Sequence, residues 1–138
     1  MVGDEPAVVD RKVVEQWIEK IGLPHSTPPD NPEVILIDLK PKMIIIPGEK
    51  SMRVSLILGN VNQISTERRE MLYQRLLELS GQMNLMKASL HGDTLAFDTD
   101  FDMACIDYRE FKDGIINTLG GFEKFKKQIA HFVQDGMI

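Results

Sequence analysis

Apolar residues recur at helical spacing near the start of the chain, and this segment ends on clear stop signals. The stripe would lie along one face of a helix, and its members are Val9, Val13, Val14, Trp17, Ile18 and Ile21. Gly22 suits a left-handed C-terminal cap, and Pro24 cannot continue a helix. Asp4 and Asp10 are both suitable N-caps. Residues 24–32 are rich in proline and polar residues, which predicts a surface loop.

Three strand-like segments follow, at residues 33–40, 41–47 and 52–59. They are rich in β-branched and leucine residues and are separated by proline and glycine, which favours a meander. The alternation in the first of them is incomplete, because both of its faces are apolar. One face carries Ile35, Ile37 and Leu39, and the other carries Val34 and Leu36. Such a sheet needs cover on both sides, from a helix, a partner subunit or a ligand.

A second helix is predicted to begin at Ser65 or Thr66, either of which can act as its N-cap. Glu67 lies near its positive end, where the helix dipole favours an acidic side chain. Gly81 is expected to end the helix. Its predicted buried stripe is Met71, Leu72, Leu76 and Leu79.

A hairpin is predicted next, with strands at residues 82–90 and 94–101 and a tight turn at His91-Gly92-Asp93. The second strand has two different faces. One carries the apolar residues Leu95, Phe97, Phe101 and Met103. The other is predicted to form an acidic ridge in contact with solvent, made of Ala96, Asp98, Asp100 and Asp102.

The third helix has a strong predicted start, because Asp107 and Glu110 match a capping box. Its apolar phase passes through the pair Gly120-Gly121 without slipping, and Gly136 is expected to end the element. Two interior glycines cost about 2 kcal/mol relative to alanine. A kink or a break is therefore expected at the glycine pair. The apolar stripe is Phe111, Ile115, Leu119, Phe122, Phe125, Ile129, Phe132 and Val133.

These elements predict an α+β fold in a single domain spanning residues 1–138. The order is helix, three strands, helix, two strands, helix, with an antiparallel sheet on which the helices pack. Apolar residues at 43% and charged residues at 27% are typical of a globular protein.

Charge and the location of apolar residues narrow the possible partners. A net charge of -5 disfavours nucleic acid as the partner, because binding a polyanion needs clustered lysine and arginine. The one basic group, Lys124, Lys126 and Lys127, is interpreted as a solvated helix face. No apolar run is long enough to cross a membrane. A single cysteine and the lack of a signal peptide favour a cytoplasmic protein.

The sequence holds no complete motif for a calcium loop, a phosphate loop or a cysteine-based active site. The aspartates at 98, 100 and 102 resemble half of a calcium loop, but Met103 and Arg109 occupy the positions that require glycine and glutamate. Residues 48–51 lack the earlier glycine of a phosphate loop. Cys105 lies between apolar residues and is interpreted as a small buried hydrophobe. The histidines, His25, His91 and His131, are dispersed. We therefore expect no catalytic residue, no metal site and no cofactor.

The junction of the second helix and the hairpin resembles a known superfamily. A Leu-Leu-x-Leu helix end at residues 76–79 runs into a strand that starts Gln-Met, followed by a Leu-x-Gly-Asp-x-Leu hairpin at residues 90–95. This pattern and the element order resemble the YbjN-like and type III secretion chaperone-like superfamily over residues 9–133. The resemblance implies a small acidic cytoplasmic protein, a homodimer, with apolar sheet and helix surfaces that hold an extended segment of a partner. It implies no cofactor and no catalytic residue.

The expected function is therefore a non-catalytic protein-binding module. Its partners would be a second copy of the chain and a client polypeptide, with neither nucleic acid nor membrane. Two alternatives stay open: a homodimeric regulatory protein without a secreted client, and a small enzyme with an unrecognised site. Methionine side chains adapt to varied apolar partners but also fill cores. The residues predicted to form the partner or dimer interface are Val34, Leu36, Met71, Leu72, Met83 and Met86.

Overall fold

Three helices cover one face of an open sheet of six antiparallel strands in the computed structural model, which describes residues 8–132. This confirms the predicted α+β architecture and the order of its main elements. The helices are α1 (Arg11–Ile21), α2 (Thr66–Ser80) and α3 (Tyr108–Ile129). The strands are β1 (His25–Ser26), β2 (Ile35–Ile37), β3 (Met43–Pro47), β4 (Ser51–Asn60), β5 (Lys87–His91) and β6 (Thr94–Asp102).

All three helices begin at side-chain caps that the sequence indicated. The Asp10 carboxylate accepts a hydrogen bond from the Val13 amide at 3.0 Å, and the hydroxyl of Ser65 caps α2. Asp107 caps α3 by accepting from the Glu110 amide at 2.8 Å. Gly22 ends α1 with φ of 92°, a left-handed conformation that glycine adopts without strain. The other candidate cap of α1, at position 4, lies outside the described residues. Helix α3 ends at Ile129 and is followed by a 3-10 turn at Ala130–Phe132, so the predicted end at position 136 is wrong.

The third helix runs unbroken through Gly120-Gly121, so the expected break is wrong. Close packing explains two of the three glycines of α3. A Cβ added at Gly121 would come within 2.6 Å of the Met86 methyl group, and one added at Gly114 would overlap the Phe101 ring. Glycine lets the loop before β5 and the end of β6 approach α3 closely, and this burial offsets the low helix propensity of glycine.

The sheet has the order β1-β2-β3-β4-β6-β5, and three strand predictions need correction. The predicted loop at residues 24–32 contains β1, which pairs with β2 through His25↔Ile37. The segment 33–40 forms only the three residues of β2. The strand predicted to start at residue 82 starts at Lys87, because the backbone of Leu85 has φ of 66° and cannot continue a ladder.

The core lies between the sheet and the helices. Alternate residues of β2, β3, β4 and β6 point toward the helices and are almost fully buried. Trp17 of α1 packs against Phe111 of α3 with ring centroids 5.5 Å apart, and Phe111 packs in turn against Phe101 of β6. Helix α2 contributes its predicted leucines at 72, 76 and 79, but Met71 is 48% exposed. The buried stripe of α2 is therefore narrower than predicted.

Candidate functional site

The face of the sheet opposite the helices is apolar along β2, β3 and the second half of β4, and no helix of residues 8–132 covers it. The registers β2–β3, β3–β4 and β4–β6 place Leu36, Ile44 and Ile57 on this face, which we call the helix-free face. Ile46 lies beside them and is 39% exposed. The prediction that the sheet would be apolar on both faces is therefore correct at its centre.

A shallow trench of 260 Å³ runs across the helix-free face. Its apolar wall comes from β3 and β4, and its polar end comes from β4 and the hairpin of β5 and β6. Such a mixture of apolar surface and a few polar groups is typical of surfaces that bind other molecules. The lining residues are Ile44, Ile46, Arg53, Ser55, Ile57, His91 and Thr94.

Asp98 forms the polar floor beside this trench, and its side chain is fully buried. It accepts a hydrogen bond from the Ser55 hydroxyl at 2.7 Å and lies 2.8 Å from the His91 Nε2 atom. The guanidinium of Arg53 is 4.0 Å away. The prediction of an aspartate row in contact with solvent is therefore wrong for Asp98, because the two neighbouring strands, β4 and β5, supply polar side chains that cover it.

Asp100, the next aspartate on this face, is held by two cations. Arg53 and Lys87 each donate a hydrogen bond to it at 3.0 Å. Partial burial would raise the pKa of Asp100, but these two hydrogen bonds outweigh it and hold the pKa below its ordinary value. The same hydrogen bond raises the pKa of Arg53. The cluster is thus a set of paired charges that fixes β4, β5 and β6 side by side.

The Ser55, Asp98 and His91 group resembles a hydrolase triad in composition but not in arrangement. A serine nucleophile needs the imidazole next to its hydroxyl as a general base. Here the carboxylate lies in the middle, where it accepts from the Ser55 hydroxyl and contacts the His91 imidazole. The group can therefore hold strands together, but its order does not provide an activated nucleophile.

Cys105 and His91 do not converge. His91 pairs with Thr94 at one end of β6, and Cys105 follows the other end. The eight residue steps of β6 between these ends span roughly 26 Å at the usual strand rise. Cys105 is exposed, which corrects the prediction of a buried thiol. Its place in the turn between β6 and α3, rather than the polarity of its neighbours, decides its exposure. Within residues 8–132, no group of three or more histidine, cysteine or acidic side chains is arranged to hold a metal ion.

A second apolar surface lies at the open edge of the sheet, between α2 and β5. It forms a groove of 260 Å³ lined by Tyr73, Leu76, Leu77, Ala88, Ser89, Leu90 and Leu95. Leu77 is 75% exposed and Leu90 is 46% exposed. No described strand pairs with the outer side of β5. We call this surface the β5 edge. The sequence analysis did not predict this surface. One signal was present, because Leu77 is an apolar residue that falls outside the predicted buried stripe of its helix.

The predicted interface residues fall into two groups. Leu72 and Met86 lie in the core of the single chain, and Val34 is buried as well. Leu36 lies on the helix-free face, Met71 is exposed on α2, and Met83 is half-buried. The structure does not bring the six into one patch, so their role in an interface stays a prediction. Three other methionines, at 43, 52 and 103, are buried as Met86 is, as expected for residues that fill a core.

Comparisons with known proteins identify the fold. No protein-family model matches the sequence, and no curated protein matches it. YbjN from E. coli, a candidate transcription regulator, is similar in structure, with a TM-score of 0.64 and 12% identity over 91% of this chain and 89% of YbjN. The chain has a YbjN-like, type III secretion chaperone-like fold.

Two further structures agree with this fold. An uncharacterized protein from Methanothermobacter thermautotrophicus aligns with a TM-score of 0.63 and 8% identity, over 89% of this chain and 98% of its own. A chain of the ExsC–ExsE complex aligns with a TM-score of 0.53 and 9% identity, over 88% and 96%. The predicted resemblance is thereby confirmed at the level of fold. Among the described helices, none is long and apolar enough to cross a membrane.

Proposed function

We propose that this chain is a non-catalytic, cytoplasmic protein-binding module that pairs with a second copy of itself and holds a partner polypeptide. The observation that carries the proposal is the apolar surface that the three helices leave uncovered. It lies in two places, along the β5 edge and across the helix-free face. Monomeric proteins rarely leave such surface beside an unpaired strand.

The β5 edge suits a second copy of the chain. Two such edges related by a two-fold axis would pair antiparallel and place Leu77 and Leu90 of each copy against the other. Each fully buried leucine side chain contributes on the order of 2 kcal/mol. Backbone hydrogen bonds along the five residues of β5 would fix the register.

The helix-free face suits a partner polypeptide. The isoleucine side chains of its trench offer apolar contact to a bound segment. The polar end of the trench, where Ser55 and His91 contact Asp98, can orient that segment. The ExsC–ExsE complex, which has a similar fold, is an assembly of two different proteins and supports this role. YbjN, a candidate transcription regulator with a similar fold, supports the regulatory role of the alternative.

The dimer is tested by measuring mass in solution by light scattering and sedimentation. We expect the native chain to have twice its monomer mass and Leu77→Lys to have the monomer mass with unchanged helical content. Ile116→Lys is the matched control, because Ile116 is also exposed, at 55%, but does not line the groove of the β5 edge. A native chain that is monomeric, or a control that dissociates as readily as Leu77→Lys, would contradict the β5 edge.

The partner site is tested with a photo-crosslinking amino acid at Ile46, and with the same residue at Lys12, which is exposed on α1, as the control. In native extract, we expect a discrete adduct with a different polypeptide from position 46 alone. Reconstitution of that adduct from the two purified proteins would establish the partner. Adducts only between copies of the chain would favour the regulatory homodimer instead.

A further inference from the structure

Gly120 is the one glycine of α3 that no contact within residues 8–132 explains. A Cβ added at Gly114 or Gly121 would meet Phe101 or Met86, whereas one added at Gly120 would meet no atom within 4 Å. An interior glycine weakens a helix relative to alanine. The chain therefore carries this cost where its own packing gains nothing from it. Glycine also lets a second molecule approach the backbone closely, so Gly120 marks a point where an outside group can lie against α3.

Gly120 is exposed and lies in a notch of 380 Å³ between α3 and the loop that precedes β5. Gln82 and Asn84 line the loop side of this notch. Ile116 and Lys124 line the helix side, one turn before and one turn after Gly120, and Ile116 is 55% exposed. Cavities of this size are typical of sites that bind other molecules. We call this cavity the α3 notch.

Two lysines at this end of α3 have no acidic partner in the described part of the chain. Lys126 pairs with Glu123 at 2.8 Å, but neither Lys124 nor Lys127 forms an ion pair within residues 8–132. Both side chains are exposed. The ammonium of Lys124 lies 5.3 Å from the centre of the Phe125 ring, a contact that leaves its charge without a counter-charge. The notch is therefore bordered by positive charge that an acidic partner would neutralise.

Ile116, Gly120, Lys124 and Lys127 share one face of α3, because helical residues three or four positions apart lie on the same side. From its N-terminal to its C-terminal end, this face presents an apolar side chain, bare backbone and two positive charges. The main-chain groups inside α3 are bonded within the helix, so an extended segment would gain no main-chain hydrogen bonds from it. A helix has its own main-chain groups paired and packs through side chains. The face therefore suits a helix and not a strand.

We infer that this face binds an amphipathic helix of the partner polypeptide, packed antiparallel to α3 and crossing it at Gly120. Glutamates in the first turns of the partner helix would lie beside Lys124 and Lys127. This placement also suits the partner helix itself, because acidic side chains are favoured near a helix N-terminus. A small residue would lie at the level of Gly120, since the side chains at a crossing set the distance between two helices. An apolar residue would then cover Ile116.

The inference rests on the protein-binding role proposed above and names the chemistry of one segment of the partner. The surface is separate from the other two, because no residue that lines the α3 notch lines the trench of the helix-free face or the groove of the β5 edge. The whole chain carries a net charge of -5, so the selection of an acidic helix depends on the local charge of this face.

The test uses a capped, fluorescently labelled peptide of about 18 residues, long enough to form a helix in isolation. One face of the peptide carries glutamates in the first two turns, an alanine at the centre and leucines in the last turns. Binding to the full chain is measured by fluorescence anisotropy. We expect the peptide to bind and its affinity to fall as salt is raised. A peptide with leucine in place of the central alanine should bind about tenfold more weakly, because leucine would hold the two helices apart.

Gly120→Ala separates binding from stability. The substitution should stabilise the protein against urea, because no atom of the chain meets the new methyl group. It should nevertheless weaken the peptide about tenfold, since the methyl group would occupy the space that the bound helix needs. Gly81→Ala is the matched control, because Gly81 has φ of -66°, has the same free space around an added Cβ and does not line the α3 notch. The control should leave the affinity unchanged.

Charge reversal tests the electrostatic part of the inference. Lys124→Glu combined with Lys127→Glu should reject the glutamate peptide and bind a peptide with lysines at the same positions, whereas reversal of the exposed Lys12 and Lys50 should change neither affinity. A native chain that does not bind the glutamate peptide, equal affinity of Gly120→Ala and the native chain, or an unchanged preference after reversal would overturn the inference. If the dimer and the adduct at Ile46 persist in that case, the proposed function stands without the α3 notch.

Discussion

The three glycines of α3 should respond to alanine in three different ways, although all lie in the same helix. An interior glycine costs a helix about 1 kcal/mol relative to alanine, so each substitution brings that gain. What differs is the space that the new methyl group would meet. At Gly120 no atom lies within 4 Å of it, so the full gain should appear. Gly120→Ala should raise the midpoint of thermal unfolding by about 4 °C.

Gly114 is the opposite case. Its added methyl group would overlap the Phe101 ring, which packs against Phe111 with centroids 6.2 Å apart. Overpacking of this kind costs about 1–3 kcal/mol, so the net result is a loss of up to about 2 kcal/mol. Gly121 lies between these cases, because its methyl group would meet only the flexible end of Met86. That side chain can move, and the net change should be near zero.

The assay is urea unfolding of the four proteins, followed by far-ultraviolet circular dichroism, with the free energy of unfolding compared at equal slope. The expected order of stability is Gly120→Ala, then Gly121→Ala and native together, then Gly114→Ala. A Gly114→Ala protein as stable as Gly120→Ala would refute the close contact of β6 with α3. A destabilised Gly120→Ala protein would refute the continuous helix.

Four further predictions concern the core, the helix-free face and the thiol. Leu72→Asp should lose its fold, because Leu72 is fully buried and an unpaired charge is costly in a core; unchanged mass and helical content would show otherwise. Asp98→Ala should lower the free energy of unfolding by about 1–3 kcal/mol, since it leaves polar neighbours without an acceptor; an unchanged urea midpoint would count against the buried cluster. The pKa of Asp100 is lowered in the folded state, so its contribution to the free energy of unfolding is present above the unfolded pKa and is lost as pH falls through the folded pKa. In an Asp100→Asn protein, the free energy of unfolding should therefore fall less steeply as the pH is lowered. An identical dependence on pH would contradict the pairing of Asp100 with its two cations. Cys105→Ser should leave the adduct formed from position 46 intact, because Cys105 lines neither the trench of the helix-free face nor the groove of the β5 edge; loss of the adduct with the fold preserved would give the thiol a role of its own.

The helices and the long strands were predictable because their signals are local. Caps at Asp10, Ser65 and Asp107 and the helical spacing of apolar residues act within a few positions of one another. The face on which each strand residue lies was also predictable, since alternation alone puts the side chains of Phe97 and Asp98 on different faces of the sheet. These signals require no knowledge of the rest of the fold.

The remaining features depend on contacts between residues far apart in sequence. Strand β1 has two residues and exists because β2 pairs with it, which its proline-rich setting did not indicate. Alternation gave the direction of Asp98 but not its burial, which comes from side chains of β4 and β5. Likewise, Met86 packs closely against Gly121, a contact that the local sequence of the helix does not indicate.

The two borders of the sheet differ, and this difference limits how the protein can assemble. At one border, β1 has two residues and is followed by a proline-rich loop, which Arg11 fastens by donating to the Thr27 hydroxyl at 2.7 Å. Proline and brevity prevent another strand from joining there. The opposite border, β5, has five residues and no proline. Among the described residues, β5 is therefore the one outer strand of the sheet that is long enough to pair with another chain. Pairing through one edge gives a closed two-fold assembly and not a continuous intermolecular sheet.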